Sequence, residues 1–508
     1  MRAYKRVISI VLSIALVMSL YVVQSPTKTY AGVKIIVGKK LDLTIGSTDT
    51  ILVKGKAKAK SSSSKVAKIT KKKKSGKHTA IHVKGKKTGK ATIKVKVGRK
   101  SKKVKVTVRP KKVSSFSAYV SGNNTANLKW KKSKGAKGYY VYRSSKSTSG
   151  FKKIATVKKT TYKNSGLAQG KYYYYKVIAY GNKKVKAEKY SHVRYVKTWK
   201  LVWQDEFSGN ALDLKKWNNN GATGAGGYGN KELQNYQMEY SEVKDGNYTI
   251  KPQFNHVTKT VKDLTTGKES TSVYNDSYYS TKVWTNGKGF KQFTYGKFEF
   301  RAKMPKGKGT WAAGWMLGNY SNYGKWPACG EIDVFETTSE ESKTWIPQSL
   351  HMAKFNGMAG NSPNKHWDTT VSTATTAYHV YTVEWYPTYI RFRIDGKETG
   401  VYDPCVFTDC PDSTEESHQL IDPTKRIKND GTSDYRIWPY NKPFYLIMNC
   451  AIGGTLGGSV SSKYWTQIND QTTVEEGVDE KTGHPIKTTT RTQTYQDKLF
   501  FDYVRVYQ

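Results

Sequence analysis

From residue 33 to about 109 the chain alternates apolar and polar positions: Leu41-Asp-Leu43-Thr-Ile45, Thr79-Ala-Ile-His-Val83, Ala91-Thr-Ile93-Lys-Val95-Lys-Val97 and Val104-Lys-Val106-Thr-Val108. A period of two is the mark of strands with one buried face. Gly-Lys steps between the runs supply turns, so a small β-sandwich is predicted. Pro110 marks a boundary. Residues 111–198 again read as short strands, now rich in tyrosine: Ala126-Asn-Leu128-Lys-Trp130, Gly138-Tyr-Tyr-Val-Tyr142 and Lys171-Tyr-Tyr-Tyr-Tyr-Lys-Val177. Alternation buries every second tyrosine of the last run, which favours a core and spacer role over a carbohydrate platform. Beyond Trp199 come Tyr295-Gly296-Lys-Phe-Glu299-Phe-Arg301-Ala-Lys303, Tyr381-Thr-Val383-Glu-Trp385, Ile390-Arg-Phe392-Arg-Ile394, Phe444-Tyr-Leu446-Ile-Met448 and Phe500-Phe-Asp502-Tyr503-Val504-Arg505-Val506. Almost no helical periodicity interrupts them, so an all-β chain ending in a two-sheet jelly roll is predicted. The charged face of the Tyr295–Lys303 segment reads as a cleft wall. Two polar stretches, about 408–442 and 459–497, read as long loops.

One stretch is set apart by its charge. Gly330-Glu331-Ile332-Asp333-Val334-Phe335-Glu336 carries three carboxylates separated by strand-favouring Ile, Val and Phe. Alternation gives Glu331 and Asp333 one face, whereas Glu336 would turn to the other. One bulged residue at Val334-Phe335 restores the parity and puts all three acids on one side. Retaining glycoside hydrolysis uses two carboxyls about 5–5.5 Å apart. On a bulged strand the Cα atoms of Glu331 and Glu336 lie about 13 Å apart, so the strand must bend and both side chains lean over Asp333. The competing reading is an acidic face at a sheet edge. Trp311, Trp315 and Trp326 favour the first, because an indole offers a flat partner to the apolar face of a pyranose.

Arg2, Lys5 and Arg6, the apolar run Val7 to Val23 and the small residues near Thr29-Tyr30-Ala31 make residues 1–31 read as a secretory signal, with an uncleaved membrane anchor as the alternative. The net charge of +49 is unevenly placed. Residues 32–199 hold 48 Lys and Arg against three acids, Asp42, Asp49 and Glu188, whereas residues 200–508 hold 35 of each sign. Such a basic front attracts polyanions, which for a secreted protein means anionic cell-wall or surface polymers, with no specific nucleic acid expected. The neutral part from residue 200 is expected to stay soluble and active alone. Four cysteines, Cys329, Cys405, Cys410 and Cys450, are too few for a disulfide framework, and Cys405 and Cys410 either pair across a short loop or stay free. No Cys/His spacing suggests zinc.

Glu331-Ile-Asp333-Val-Phe-Glu336 resembles the active-site strand of glycoside hydrolase family 16 in its bulged, laminarinase-like form. Four further blocks are similar to the family's: Gly309-Thr310-Trp311-Ala-Ala-Gly-Trp315-Met316-Leu317, Trp326-Pro327-Ala-Cys329-Gly330, Trp203-Gln-Asp205-Glu206-Phe207 and Gly227-Tyr-Gly229-Asn230-Lys-Glu232-Leu-Gln234. The resemblance covers about residues 200–508 and implies a concanavalin-like jelly roll. It implies that Glu331 is the nucleophile and Glu336 the acid/base, with Asp333 keeping one Glu ionised and the other protonated. Asn230 and Arg301 resemble polar cleft residues of the family. Trp311, Trp315 and Trp326 are the candidates for sugar stacking, with a core role expected for at least one of them. His351, which follows the acid strand, is a candidate hydrogen-bonding partner of the substrate. No cofactor is required for the chemistry, but the family often carries a remote structural calcium ion, matched here by Glu206, the Gly246 carbonyl and Asp502.

The implied activity is that of a secreted, monomeric endo-β-1,3-glucanase, or of a relative acting on mixed β-1,3-1,4-glucan, retained at the cell wall. The alternatives are the same chemistry on a galactan such as agarose or carrageenan, and a non-catalytic glucan-binding wall protein. Ser61 to Ile69 with Gly89-Lys-Ala-Thr-Ile93 resembles a bacterial Ig-like domain of group 2, and residues 111–198 resemble a fibronectin type III domain with Trp130 in its core. The expected order is signal 1–31, Ig-like 32–110, fibronectin type III-like 111–198 and hydrolase-like 199–508.

Overall fold

The computed structural model describes residues 33–219, 227–338, 344–357, 363–387, 389–403 and 435–508. The signal-like N-terminus, Cys405, Cys410 and most of the 408–442 stretch lie outside the described residues. Cys329 and Cys450 are both buried. The chain is mostly β, with small N-terminal sheets followed by a C-terminal jelly roll.

The first unit packs two four-stranded sheets around Leu41, Leu43, Ile51, Val53, Ile81, Val83, Ile93, Val95, Val104, Val106 and Val108. These are the apolar members of the alternating runs, so their partners at the polar positions face solvent. The second unit packs a three-stranded on a four-stranded sheet around Trp130, Tyr139, Tyr175 and Val177. Within its tyrosine run only Tyr175 is fully buried, while Tyr172 and Tyr174 pack their rings on Tyr195 at 5.9 Å each. This core does not stop at the unit's edge. It takes in Trp199, Tyr386 and Tyr507, with Trp199 and Tyr386 ring centroids 5.4 Å apart, and Lys297 Nζ reaches Asn123 Oδ1 at 3.3 Å. Tyr386 and Tyr507 belong to the C-terminal part, so the second and third units share one apolar seam.

The C-terminal unit faces an eight-stranded sheet onto a six-stranded one across the largest core. In the six-stranded sheet the order is Lys282–Trp284, Phe444–Ile452, Thr310–Gly318, Glu331–Glu336, Trp345–His351, Lys365–Thr370, all antiparallel. The eight-stranded sheet includes Gly296–Lys303 and Leu499–Tyr507, paired antiparallel.

The expectation of a loop over 459–497 is corrected. Thr466–Val478 and Pro485–Gln496 form a long hairpin, and its second strand pairs with Gln253–Asp263 in a third sheet. Most of this hairpin lies outside any core, so no apolar alternation marks it in the sequence. Its threonines supply strand propensity without hydrophobicity, and the pairs Arg491–Asp470 and His484–Asp263 tie its strands sideways.

Candidate active site

The three acids share a face because the acid strand Glu331–Glu336 bulges against its neighbour Thr310–Gly318. Leu317 pairs with Glu331, Met316 with Ile332 and Trp315 with Asp333, but Gly314 then pairs with Phe335 and Ala313 with Glu336. Val334 is the additional residue. Ile332, Val334 and Phe335 are all fully buried in the core, which leaves Glu331, Asp333 and Glu336 on the outer face. Gly314 makes room for the bulge, because a Cβ there would lie 2.4 Å from Phe335 Cε1. The Gln348 amide donates to the Val334 carbonyl at 2.7 Å, satisfying a backbone group that the bulge displaces from the ladder.

Burial pushes the Glu331 and Glu336 carboxyls up to about 7 each. The Trp326 indole and the positive charge of Lys282 pull Glu331 back down. His351 and the Trp311 indole do the same for Glu336, whose Oε1 accepts from Trp311 Nε1 at 3.0 Å. Asp333 is held well above the carboxylate range, first by burial and then by the two glutamates. Its Oδ2 has no hydrogen-bond partner among the described residues, and His351 Nε2 stands 3.4 Å from it and 3.8 Å from Glu331 Oε1. Burial holds His351 below the usual imidazole range. Glu331, Asp333 and His351 each bring one ligand atom within 4.8 Å of the others, a spacing that a cation would accept. At neutral pH the group can therefore store protons and ionise stepwise, as acid/base chemistry requires.

The indoles divide their tasks. Trp311 binds Glu336 directly, and Trp326 packs on His351 with ring centroids 5.8 Å apart. Trp315 donates to Asn449 Oδ1 at 2.7 Å, Asn449 donates to Tyr236 OH at 3.0 Å, and Tyr236 donates to Glu232 Oε2 at 3.3 Å. Asn230 stands at the far end of this chain, donating to Glu232 Oε1 at 3.2 Å, and so among the described residues it is linked to the site through Glu232. Trp284, Trp315 and Trp326 pack with Leu317, Cys329, Ile447 and Tyr445 in an apolar cluster on the same outer face.

Sequence reasoning missed Lys282, Tyr236, Glu232 and Asn449. Lys282 sits cross-strand from Asn449, with Nζ 5.1 Å from the Tyr228 ring centre, 5.3 Å from Trp315 and 5.9 Å from both Tyr236 and Trp284. The alternation Ser280-Thr-Lys282-Val-Trp284 was the available signal: it places Lys282 and Trp284 on one face of a strand.

Arg301 is corrected. Phe298, Phe300 and Ala302 fill the core from the eight-stranded sheet, so Arg301 points out of the opposite side of the sandwich. There it pairs with Asp502 and lies over the Tyr378 ring at 4.8 Å, and the charged face of its strand is not a wall of the site. The proposed calcium ligands meet the same obstacle. Glu206 accepts from Arg505 through both oxygens at 2.7 Å, Asp502 holds Arg301, and Gly246 would add only a turn carbonyl. With both carboxylates already neutralised by guanidinium groups, this set does not fit a calcium ion as arranged.

A bulged acid strand on the outer face of a two-sheet sandwich, with buried carboxyls beside indoles, defines a carbohydrate-cleaving protein of jelly-roll type. The model of glycosyl hydrolases family 16 matches residues 247–406. A β-glucanase of Rhodothermus marinus is 32% identical over 316 residues, covering 61% of this chain and 85% of that protein. A glucan endo-1,3-β-glucosidase A1 of Niallia circulans is 32% identical over 266 residues, covering 51% of this chain and 34% of its own length. The crystal structure of the Rhodothermus marinus laminarinase aligns with 30% identity and a TM-score of 0.42, covering 61% of this chain and 97% of that one. The chain belongs to glycosyl hydrolases family 16, and its C-terminal part is a glycoside hydrolase of that family.

Proposed function

We propose that this protein cleaves β-1,3-glucan, or mixed β-1,3-1,4-glucan, inside the chain and with retention. In the first step Glu336 gives its proton to the glycosidic oxygen while Glu331 attacks the anomeric carbon. The C–O bond breaks, the leaving sugar departs as an alcohol and a glycosyl ester forms on Glu331. In the second step the Glu336 carboxylate takes a proton from water, the water oxygen attacks the anomeric carbon and Glu331 is released. Asp333, buried between them and neutral, spares Glu331 a second adjacent negative charge. Trp326 and Lys282 favour the ionised nucleophile, and the apolar cluster around Trp284 and Trp315 offers stacking faces to the glycone sugars.

The observation that carries this reading is the bulge that sets Glu331, Asp333 and Glu336 on one outer face. An indole donor stands at each glutamate, Trp326 at Glu331 and Trp311 at Glu336, with the positive charge of Lys282 on the Glu331 side. The named relatives, a β-glucanase and a glucan endo-1,3-β-glucosidase, support the linkage. The N-terminal units fit Ig-like and fibronectin type III-like spacers of a secreted enzyme held at a cell wall. The test is reducing-sugar release by the full chain and by Glu331→Gln on laminarin, mixed-linkage glucan, cellulose and agarose. Activity confined to the β-1,3-containing glucans and abolished in the variant is the expected result. Activity on agarose alone would keep the mechanism and replace the substrate. Glucan binding without any turnover would make the domain a lectin.

A further inference from the structure

The first unit carries more charge than its own stability explains. Its sheet of Lys40–Thr44, Lys100–Arg109, Gly89–Val97 and Ala57–Ser61 buries one face and exposes the other. On the exposed face the register sets Lys60 opposite Lys94, Lys94 opposite Lys103, Lys58 opposite Lys96 and Lys40 opposite Lys105. Like charges placed directly across a sheet oppose its formation. The acid on this face, Asp42, is occupied by Arg109 at 2.9 Å and Lys40 at 3.2 Å, and residues 32–199 contain only Asp49 and Glu188 besides. Where the face meets the second unit it forms a groove of about 720 Å³, lined by Lys40, Lys90, Lys105, Arg109 and Lys184 and by threonine hydroxyls.

We propose that this face and groove bind an extended anionic glycopolymer, a chain of sugar or polyol units bearing regularly spaced carboxylates or phosphodiesters. Residues 33–115 contain no Phe, Tyr or Trp. The face therefore has no ring to stack on a neutral sugar and no platform for an unstacked base. The groove has room for a few units of one extended chain, not for a duplex. Its cations are mostly lysines, which act as point charges and suit dispersed anionic groups better than one bidentate target. Alternate residues on one strand recur about every 6.6 Å and strands lie about 4.8 Å apart, so the lysines form a grid that a flexible polyanion can follow in more than one register.

The test is retention of the full chain on immobilised polygalacturonate and on poly(glycerol phosphate), at low and high salt, beside neutral dextran and double-stranded DNA. The comparison is the variant Lys90→Glu/Lys94→Glu/Lys105→Glu, with its melting temperature as the control for folding. The expected result is binding to one or both anionic glycopolymers, lost at high salt and about tenfold or more weaker in the variant. The two polymers distinguish carboxylate from phosphodiester as the recognised group. Should the reversed charges unfold the unit, Lys60→Gln/Lys94→Gln/Lys103→Gln reads the same face with less perturbation. Equal retention of a folded variant, equal retention on dextran, or tighter binding to DNA than to either glycopolymer would overturn the proposal.

Discussion

The Trp311 indole N–H donates to Glu336 Oε1 at 3.0 Å, and an indole can do nothing but donate. The bond therefore favours the ionised form of a carboxyl that burial drives toward the neutral form. The balance stands at about 7, where one group can give a proton in the first step and take one in the second. Trp311→Phe keeps the ring and removes the donor. A hydrogen bond to a charged group is worth about 1.5–3 kcal/mol, so the alkaline limb of the kcat/KM profile should rise by roughly one to two pH units, with a lower plateau. An unmoved limb would separate Trp311 from the acid/base function.

Lys282 should act on the other limb. Its charge helps hold Glu331 ionised, so Lys282→Met should raise the acid limb of kcat/KM, while Lys282→Arg should restore it. A loss confined to KM, with the acid limb in place, would make Lys282 a sugar ligand and nothing more.

The acids also tie stability to pH. Glu336 has a folded value raised from 4.5 to about 7, so the folded state binds its proton more tightly than the unfolded state. That stabilisation is complete below about 4.5 and is lost as pH rises to about 7, worth at most about 3 kcal/mol for one such group. The melting temperature should therefore fall over that window. Glu336→Gln or Asp333→Asn should flatten the fall and melt higher than the parent at neutral pH, and Glu336→Gln should do so without activity. Thermal melts across the window decide it.

The bulge is a single-residue device. Deleting Val334 should remove the bulge yet keep Glu336 on the face of Glu331 and Asp333, because Phe335 and Glu336 then continue the register with Gly314 and Ala313. Reducing-sugar assays should show turnover lowered by the changed carboxyl spacing and not abolished. Gly314→Ala forces Phe335 aside and should cost about 1–3 kcal/mol, seen as a lower melting temperature with the chemistry partly retained.

Cutting the chain at residue 200 should damage the enzyme, contrary to what its neutral charge suggests. Tyr386 and Tyr507 are buried in the seam with the second unit, and exposing both would forfeit about 3–6 kcal/mol. A chain beginning near residue 111 should melt like the parent, whereas one beginning at 200 should melt several degrees lower or aggregate. Equal melting of the two would show that the seam carries no stability.

The β-sandwich cores were legible because burial on one face leaves a period of two, as in Ile93, Val95, Val104 and Val106. The acid strand was legible too, since Glu336 could join Glu331 and Asp333 only through a bulge. The hairpin over Thr466–Gln496 was not. Its exposed faces are both polar, and a strand without a buried face has no period to read.

The sequence by itself determined the all-β character, the asymmetry of charge and the bulged row of three acids, because each depends on residues adjacent along the chain. Tertiary structure decided what depends on partners far apart in it. It sent Arg301 to Asp502 on the opposite sheet and brought Lys282 and Asn449 from distant strands to the indole face. It also fused the second unit to the third through Trp199 and Tyr386. The physical reason is that alternation tells which way a side chain points from its own strand, but only the pairing order of the strands tells what it meets there.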